Sequence, residues 1–350
     1  ASSSEWHSFA GIAWQNLSVL ASEQVRIFCD QGYLVVPDVL DEADLAPVKA
    51  EYTAVLAAAA HELYETGEIS SRYETLEFAD RYIAILNEFP GLYRYLNISL
   101  PLSNDPVPAE ECRMHAGPAV FDLLCNDKIL DVVESLIGTE IRSNPIQHIR
   151  LKPPQSAVPA EVAGYSNIGA TTWHQDHGAV MDEAEDTEMV TVWVAVTDAA
   201  VENGCLVASP QSHVAGELTL HCPGVKVDVA AENYIPDAMR DGKPVVPLPV
   251  SAGSLVLLNK YIEHAALPNT SDQLRWSFDL RYQRADQPTG RPAFPSFIAR
   301  SRRDPLSVMT DWREYAAQWE QTRRTMVGDG FGFPIFEENR WLANAGHPAC

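Results

Sequence analysis

The first third of the chain carries apolar residues at helical spacing, interrupted by residues that begin or end helices. Ser22 and Asp41 are plausible N-caps, and Gly32 and Gly138 stand where helices are expected to end. The segment after Asp41 is rich in alanine, the residue with the highest helix propensity. Helices are therefore predicted over residues 22–31, 41–63 and 118–137.

From about residue 140 the apolar runs become short and are separated by glycine-containing turn pairs. Many short strands in series favour an antiparallel sandwich or barrel over βαβ units. A last helix is predicted over residues 311–326, where Trp312, Tyr315 and Trp319 repeat at helical spacing and are expected to pack into the core. Strands are predicted over residues 33–37, 146–151, 189–197, 204–208, 254–261 and 276–283.

Composition narrows the class of protein further. Of the 350 residues, 46% are hydrophobic and 21% are charged, as in a globular protein with a sizeable core. The 48 acidic and 25 basic residues give a net charge of −23, which does not favour binding to nucleic acid or to anionic membranes. No run of 18 apolar residues occurs, so no membrane-spanning helix is expected. The oligomeric state stays open.

Six cysteines are present, and none of them forms a CxxC pair. Their spacing indicates neither a zinc ribbon nor a disulfide framework. Cys29 and Cys125 lie in apolar helical runs and are expected to be small core residues. A reducing, cytoplasmic setting is therefore expected.

The strongest chemical signal is the pair His174 and Asp176, two residues apart in a strand-like segment. Residues i and i+2 of a strand point to the same face, so the imidazole and the carboxylate can aim at one point. His264, at the end of a predicted strand, is the best third ligand. Two histidines and one carboxylate leave open positions on a metal, which is typical of non-haem iron(II) oxygenases. These three residues are thus the predicted metal ligands and catalytic centre.

Other interpretations of the histidines compete with this one. The same three ligands also suit a hydrolytic zinc site, although the HExxH spacing common in such sites is absent. His148, His177, His213 and His221 all lie in the strand-rich part. His213 is expected to make hydrogen bonds within a loop, and His221 is expected at the surface. A structural role is the ordinary expectation for any one of them.

Arg275 follows His264 by eleven residues, and the turn-forming segment 269–272 lies between them. A hairpin of that length would return the chain beside His264. The arginine side chain offers a planar, permanently charged fork that binds carboxylates through two hydrogen bonds. Arg275 is therefore predicted to bind the distal carboxylate of 2-oxoglutarate, with a surface salt bridge as the alternative.

Together these residues resemble the phytanoyl-CoA dioxygenase family of iron(II)- and 2-oxoglutarate-dependent oxygenases, over most of the chain. Two departures occur: Gln211 stands where the family usually has glycine, and Ala266 replaces a small hydroxyl residue. The matching segments are residues 31–40, Lys-Pro-Pro at 152–154, Trp-His-Gln-Asp at 173–176, Trp193, Asn-Gly-Cys-Leu at 203–206, Ser-Pro-Gln-Ser-His at 209–213, His264, Pro-Asn-Thr-Ser at 268–271, Arg275 and Arg-Tyr at 281–282.

The resemblance implies a mainly β fold with flanking helices, built on a double-stranded β-helix (a cupin-like jelly roll). A single domain over residues 1–350 is expected, with a mostly helical part (1–139), a jelly-roll core (140–285) and a C-terminal extension with a helix (286–350). The resemblance carries iron binding to the three predicted ligands and clamping of 2-oxoglutarate to Arg275. It also places Trp193 and His148 in the 2-oxoglutarate pocket. His177 is a further candidate, for contact with the substrate.

The expected function is therefore an oxygenase that uses iron(II), 2-oxoglutarate and O₂. Hydroxylation of an unactivated C–H bond in a small organic molecule, with release of succinate and CO₂, is the default outcome. The alternatives are a metal-dependent hydrolase, with His177 as its general base, and a non-catalytic binding protein on the same fold. The long segments 182–188 and 216–247 are plausible covers for a substrate site.

Overall fold

A computed structural model describes residues 19–100, 113–164, 166–223, 233–328 and 341–350. Helices precede the strand-rich part and one long helix follows it. The helices are α1 (Ser22–Gln31), α2 (Glu42–Glu65), α3 (Phe78–Glu88), α4 (Tyr93–Leu96), α5 (Pro118–Leu124), α6 (Asp127–Ile137) and α7 (Trp312–Gly328). The strands are β1 (Tyr33–Val36), β2 (Glu140–Lys152), β3 (Thr171–His174), β4 (Met189–Ala195), β5 (Leu206–Ala208), β6 (Val246–Leu248), β7 (Leu255–Asn259), β8 (His264–Ala266), β9 (Arg275–Arg284) and β10 (Phe297–Ser301).

The strands form two antiparallel sheets. The large sheet has the order β1-β7-β4-β9-β2-β10, and the small sheet has the order β3-β8-β5-β6. The small sheet brings together strands that are far apart in the sequence, since β8 pairs with both β3 and β5. The large sheet also includes β1 and β10, which lie outside residues 140–285. A sandwich of two such sheets with flanking helices agrees with the predicted jelly roll.

The helices cover the outer face of the large sheet. Tyr52 of α2 packs edge-on against Trp276 and Phe278 of β9, with ring centroids 5.4 and 5.8 Å apart. The predicted aromatic stripe of α7 is in the core, because Tyr315 and Trp319 are buried. One face of β9 is therefore apolar and covered by helices, which leaves its other face to the interior between the sheets.

The helix predicted over residues 118–137 is wrong as one unit. The structure divides it into α5 and α6 at Cys125 and Asn126. Asn126 is the N-cap of α6, since its side chain accepts hydrogen bonds from the Lys128 and Ile129 amides. The Asn-Asp pair at this point carries a capping signal that the apolar periodicity concealed.

The expectations for the cysteines also need correction. Cys222 and Cys350 form a disulfide, although 128 residues separate them. Cys29 is exposed and Cys125 is half-buried, so neither is a fully buried core residue. Among the described residues, no helix is both long and apolar enough to cross a lipid bilayer.

Candidate metal centre

Strands β3 and β8 lie side by side, and their pairing sets His174 directly opposite His264. The two imidazole rings have centroids 4.2 Å apart. Asp176 lies just beyond β3 in a short 3₁₀ turn, Asp176–Ala179. Gln175 has an extended backbone, with φ −118° and ψ 132°. The side chains at i and i+2 therefore converge as in a strand, although the strand itself ends at His174.

The three side chains offer nitrogen and oxygen atoms that lie within 4.8 Å of one another. Nε2 of His174 lies 3.7 Å from one carboxylate oxygen of Asp176, and Nε2 of His264 lies 3.8 Å from the other. Across the part of the chain that the structure describes, this is the one cluster of three such side chains that could hold a metal ion. The arrangement matches the two-histidine, one-carboxylate set predicted from the sequence.

Backbone carbonyls fix which ring nitrogen faces the cluster. Nδ1 of His174 lies 2.8 Å from the Thr172 carbonyl oxygen, and Nδ1 of His264 lies 3.1 Å from that of Ile262. A carbonyl oxygen can only accept a hydrogen bond, so each Nδ1 carries the proton and each Nε2 keeps its lone pair. Burial, reinforced by the neighbouring His174, lowers the pKa of His264 to about 4. At neutral pH this imidazole is uncharged, the form that binds a metal.

Both oxygens of the Asp176 carboxylate have hydrogen-bond donors. The Thr191 hydroxyl donates to Oδ2 at 2.5 Å, and Nη2 of Arg281 donates to Oδ1. Burial alone would raise the pKa of Asp176, but the Arg281 guanidinium holds it well below its usual value. The carboxylate is therefore ionised and fixed in orientation. Arg281 is therefore paired with this carboxylate.

A cavity of about 320 Å³, measured with its opening to solvent, adjoins the cluster and extends to Arg275 on β9. Arg275 is fully buried, and its Nη1 donates to the Ser277 hydroxyl at 2.6 Å. Its Nε and Nη2 have no hydrogen-bond partner. Burial lowers the pKa of Arg275 to about 9, which still leaves it charged at neutral pH. A buried guanidinium with two open donors is suited to an anion.

The remaining predicted pocket residues differ in their placement. Trp193 lines the cavity, and the Arg275 guanidinium carbon lies 5.4 Å from the centroid of its ring. His148 lies opposite Asp279 in the β2–β9 pairing but does not line the cavity. His177 is buried against Tyr261, with ring centroids 5.0 Å apart, and does not line the cavity either. The roles assigned to His148 and His177 stay predictions.

The cavity wall also contains an ion pair that the sequence did not reveal. Arg150 of β2 donates to Oδ2 of Asp279 on β9 at 2.7 Å, and both side chains line the cavity. Arg150 and Asp279 are 129 residues apart in the sequence, and only the register of β2 against β9 brings their side chains together. The charged residues at alternate positions 275, 279 and 281 were the available signal, because they mark a polar face opposite the apolar face of the same strand.

Described residues of the segment 216–247 contact β3 and Glu263, the residue before β8. The Ile235 amide donates to the Trp173 carbonyl at 2.7 Å, and the Arg240 guanidinium lies over the Trp173 ring, 3.0 Å from its centroid. Glu263, fully buried beside His264, accepts hydrogen bonds from Lys243 and Thr219. Residues 224–232 lie outside the described residues, so the expectation of a substrate cover stays a prediction.

His221, expected at the surface, is buried. Its ring stacks on Trp341, with centroids 4.7 Å apart and planes inclined by 28°. The neighbouring disulfide between Cys222 and Cys350 holds the segment of Trp341 in place. The expectation was wrong because a segment 120 residues later in the chain covers this loop.

The family model described as phytanoyl-CoA dioxygenase matches residues 28–277. The chain belongs to the phytanoyl-CoA dioxygenase family. In cattle (Bos taurus), phytanoyl-CoA dioxygenase domain-containing protein 1 is 30% identical over 118 residues, which is 33% of this chain and 40% of that protein. Dioxygenase lolE1 of Epichloe uncinata is 31% identical over 88 residues, 25% of this chain and 30% of that protein. The matches thus span less than half the length of these relatives.

Among solved structures, the apo form of the non-haem monooxygenase ThoJ is similar to this member of the phytanoyl-CoA dioxygenase family. Its TM-score is 0.50 at 17% identity, covering 87% of this chain and 99% of ThoJ. At that identity the likeness is evidence for the fold alone. The predictions of the family and of a jelly roll with flanking helices are confirmed. Iron(II), 2-oxoglutarate and O₂ are the cofactors of the phytanoyl-CoA dioxygenase family, and two imidazoles with one carboxylate fit iron(II).

Proposed function

We propose that this protein is an iron(II)- and 2-oxoglutarate-dependent oxygenase, with His174, Asp176 and His264 as the metal ligands. The observation that carries the proposal is a single cavity with two different ends. At one end, His174 and His264 line the cavity, and their side chains converge with that of Asp176. At the other end, Arg275 presents two buried donors without partners. A molecule with a metal-chelating keto acid at one end and a carboxylate at the other would fit both ends of this cavity.

Each side chain then has a distinct task. The two Nε2 atoms and one oxygen of Asp176 would hold iron(II), which when bound supplies the reduction of O₂ coupled to oxidative decarboxylation of 2-oxoglutarate. Arg275 would bind the distal carboxylate, and Ser277 orients the guanidinium. The indole of Trp193, packed beside Arg275, excludes water from this end of the cavity. Water exclusion strengthens a charge-assisted hydrogen bond.

The substrate is proposed to be a small organic molecule that loses a hydrogen from an unactivated C–H bond. Hydroxylation is the default outcome of this chemistry, with succinate and CO₂ as the products of 2-oxoglutarate. The support is the narrow cavity beside the ligands and the acidic net charge of −23, which disfavours polyanionic partners. Which carbon reacts depends on the placement of the substrate relative to His174 and His264.

A metal-dependent hydrolase is less well supported. Such an enzyme needs a general base beside a metal-bound water. His177, the expected base, packs against Tyr261 and does not line the cavity. Asp279 does line the cavity, but it is paired with Arg150. A hydrolase would also leave the two open donors of Arg275 without a purpose. The other alternative is a non-catalytic binding protein. The assay below distinguishes it from an oxygenase.

The deciding experiment measures succinate. Purified protein would be supplied with iron(II), 2-oxoglutarate and O₂, and succinate would be quantified against the variant Asp176→Ala. We expect succinate from the unmodified protein and none above background from the variant. A protein that binds both iron(II) and 2-oxoglutarate but forms no succinate with any tested substrate would contradict the oxygenase proposal and favour the binding protein. Screening small molecules for increased succinate would then identify the substrate class.

A further inference from the structure

A second layer of contacts surrounds the turn that carries Asp176. Residues 341–350 pack on this turn and on the loop of His221. The Trp341 indole N–H donates to the Gly178 carbonyl at 3.1 Å, and the Asn344 side-chain amide donates to the His221 carbonyl at 2.8 Å. The disulfide between Cys222 and Cys350 ties the same segment covalently to the loop beside the turn. We call residues 341–350 with this disulfide the clasp.

His221 connects the clasp to the metal-binding segment. Its Nε2 accepts a hydrogen bond from the backbone N–H of Gln175 at 3.2 Å, and its Nδ1 lies 2.7 Å from the Thr219 carbonyl oxygen. The Nδ1 therefore carries the proton and the Nε2 is an acceptor. Gln175 is the residue between His174 and Asp176. The imidazole of His221 thus holds the backbone at the residue between the two predicted ligands.

This contact has a physical consequence for the ligand geometry. Gln175 is almost fully buried, so its amide N–H would lack a partner without His221. The extended conformation of Gln175 is what brings the side chains of His174 and Asp176 to one point. A small rotation about this residue would separate the two side chains. Groups that hold metal ligands in place commonly affect metal affinity strongly.

We propose that His221 is a positioning residue for the metal centre and that the Cys222–Cys350 disulfide keeps it in place. The inference rests on the proposed metal site. Loss of the His221 acceptor, or opening of the clasp, is then expected to weaken metal binding without removing any ligand. The disulfide makes the effect sensitive to reductants, because Cys350 is exposed while Cys222 is buried.

The redox step needs a dithiol as the reductant. One dithiol thiolate attacks a sulfur of the disulfide and forms a mixed disulfide, and the second thiol closes the dithiol into a ring. The S–S bond between Cys222 and Cys350 breaks, and the two cysteines gain two electrons and two protons as thiols. The dithiol loses the same two electrons and two protons and becomes a cyclic disulfide.

The first experiment separates the acceptor from the packing. His221→Phe keeps a ring to stack on Trp341 but removes the acceptor, whereas His221→Gln keeps an acceptor near the position of Nε2. Mn(II) affinity, measured by electron paramagnetic resonance, is expected to fall on the order of tenfold in His221→Phe. It should largely recover in His221→Gln. His213→Phe is the matched control, since the Nε2 of His213 contacts the Cys29 carbonyl instead.

A second readout does not depend on the metal. Hydrogen exchange of the Gln175 amide in the metal-free protein is expected to accelerate in His221→Phe and in Cys350→Ser. Treatment with dithiothreitol, followed by desalting, should weaken Mn(II) binding by the unmodified protein and by Cys29→Ser. It should have no further effect on Cys350→Ser, which already lacks the disulfide.

The outcomes are distinguishable. Unchanged Mn(II) affinity and unchanged Gln175 exchange in His221→Phe and after reduction would overturn the inference while leaving the metal site intact. Failure of the unmodified protein to bind Mn(II) at all would overturn the metal site, and the role of His221 with it. A weakening in His221→Phe that His221→Gln does not reverse would assign the effect to packing and would also overturn the inference.

Discussion

Arg281 donates a hydrogen bond from Nη2 to Oδ1 of Asp176, while its Nη1 donates to the Ile146 carbonyl at 3.0 Å. The guanidinium therefore connects the Asp176 carboxylate, which follows β3 of the small sheet, to β2 of the large sheet. The contact on β2 lies at the bulge between Asn144 and His148. Both side chains are almost fully buried. In the metal-free protein this ion pair compensates the buried negative charge of the Asp176 carboxylate.

The first prediction concerns this pair. Arg281→Gln leaves the Asp176 carboxylate buried without its cation, and breaking a buried pair typically costs about 3–5 kcal/mol. We expect a loss of that size in the free energy of unfolding of the metal-free protein, measured in urea. Arg302→Gln is the control, because its ion pair with Glu134 involves a half-exposed arginine and should contribute less than about 1 kcal/mol. Equal losses in both variants would contradict the structural role of Arg281.

The second prediction concerns the distal end of the cavity. Arg275→Ala is expected to weaken 2-oxoglutarate binding by about 2–5 kcal/mol, since it removes a charge-assisted contact in a dry site. Binding would be measured by calorimetry on Mn(II)-loaded protein. Mn(II) affinity itself should be retained, because Arg275 contacts no metal ligand in the structure. Unchanged 2-oxoglutarate affinity would place the anion site elsewhere.

The third prediction concerns the buried carboxylate of Glu263. Lys243→Met removes a cation 2.6 Å from the buried Glu263 carboxylate, which keeps Arg240 at 3.7 Å, and is expected to destabilise the fold by about 1–3 kcal/mol. Adding Glu263→Gln removes the carboxylate charge that has lost this partner, so the double variant should regain part of this loss. Urea unfolding of the two single variants and the double variant measures the coupling. Simple additivity of the two losses would show that the pair does not hold segment 216–247 on the small sheet.

The fourth prediction concerns pH. The pKa of His264 is about 4 in the folded protein and roughly 6.5 in an unfolded chain. Between these values the unfolded chain binds a proton that the folded protein does not. The free energy of unfolding of the metal-free protein should therefore fall as the pH drops from about 6.5 towards 4, by on the order of 3 kcal/mol.

His264→Gln removes this titration, so its stability should depend less on pH over that range. The exposed His61 of α2 provides the control, and His61→Gln should follow the unmodified protein. Urea unfolding at several pH values between about 7 and 5 is the measurement. Parallel curves for His264→Gln and the unmodified protein would contradict the prediction.

Local sequence patterns predicted much of the fold and the convergence of His174, Asp176 and His264. The pair His174 and Asp176 could be found because the extended backbone converts a spacing of two residues into a shared direction. Arg275 could be found because the turn at 269–272 fixes how far the chain travels before it returns. In both cases the information is carried by a few consecutive residues.

Contacts between distant segments were not predictable in this way. The pairing of Arg150 with Asp279 depends on the register of two strands 129 residues apart. The burial of His221 depends on Trp341 and on a disulfide whose partners are equally remote. Nothing in the local sequence around these residues specifies such neighbours, so the sequence suggested a surface position for His221 and reduced thiols for the cysteines.

The division of the site between the two sheets has a mechanical consequence. His174 and His264 stand on β3 and β8 of the small sheet, whereas Arg275 stands on β9 of the large sheet. A cosubstrate bound at both ends would link the two sheets across the cavity between them. It would resist any shear of one sheet over the other, with the three-residue strand β8 as one of its points of attachment. Consumption of the cosubstrate at each turnover would remove this link between the sheets. The stiffness of the fold would therefore rise and fall with the reaction cycle.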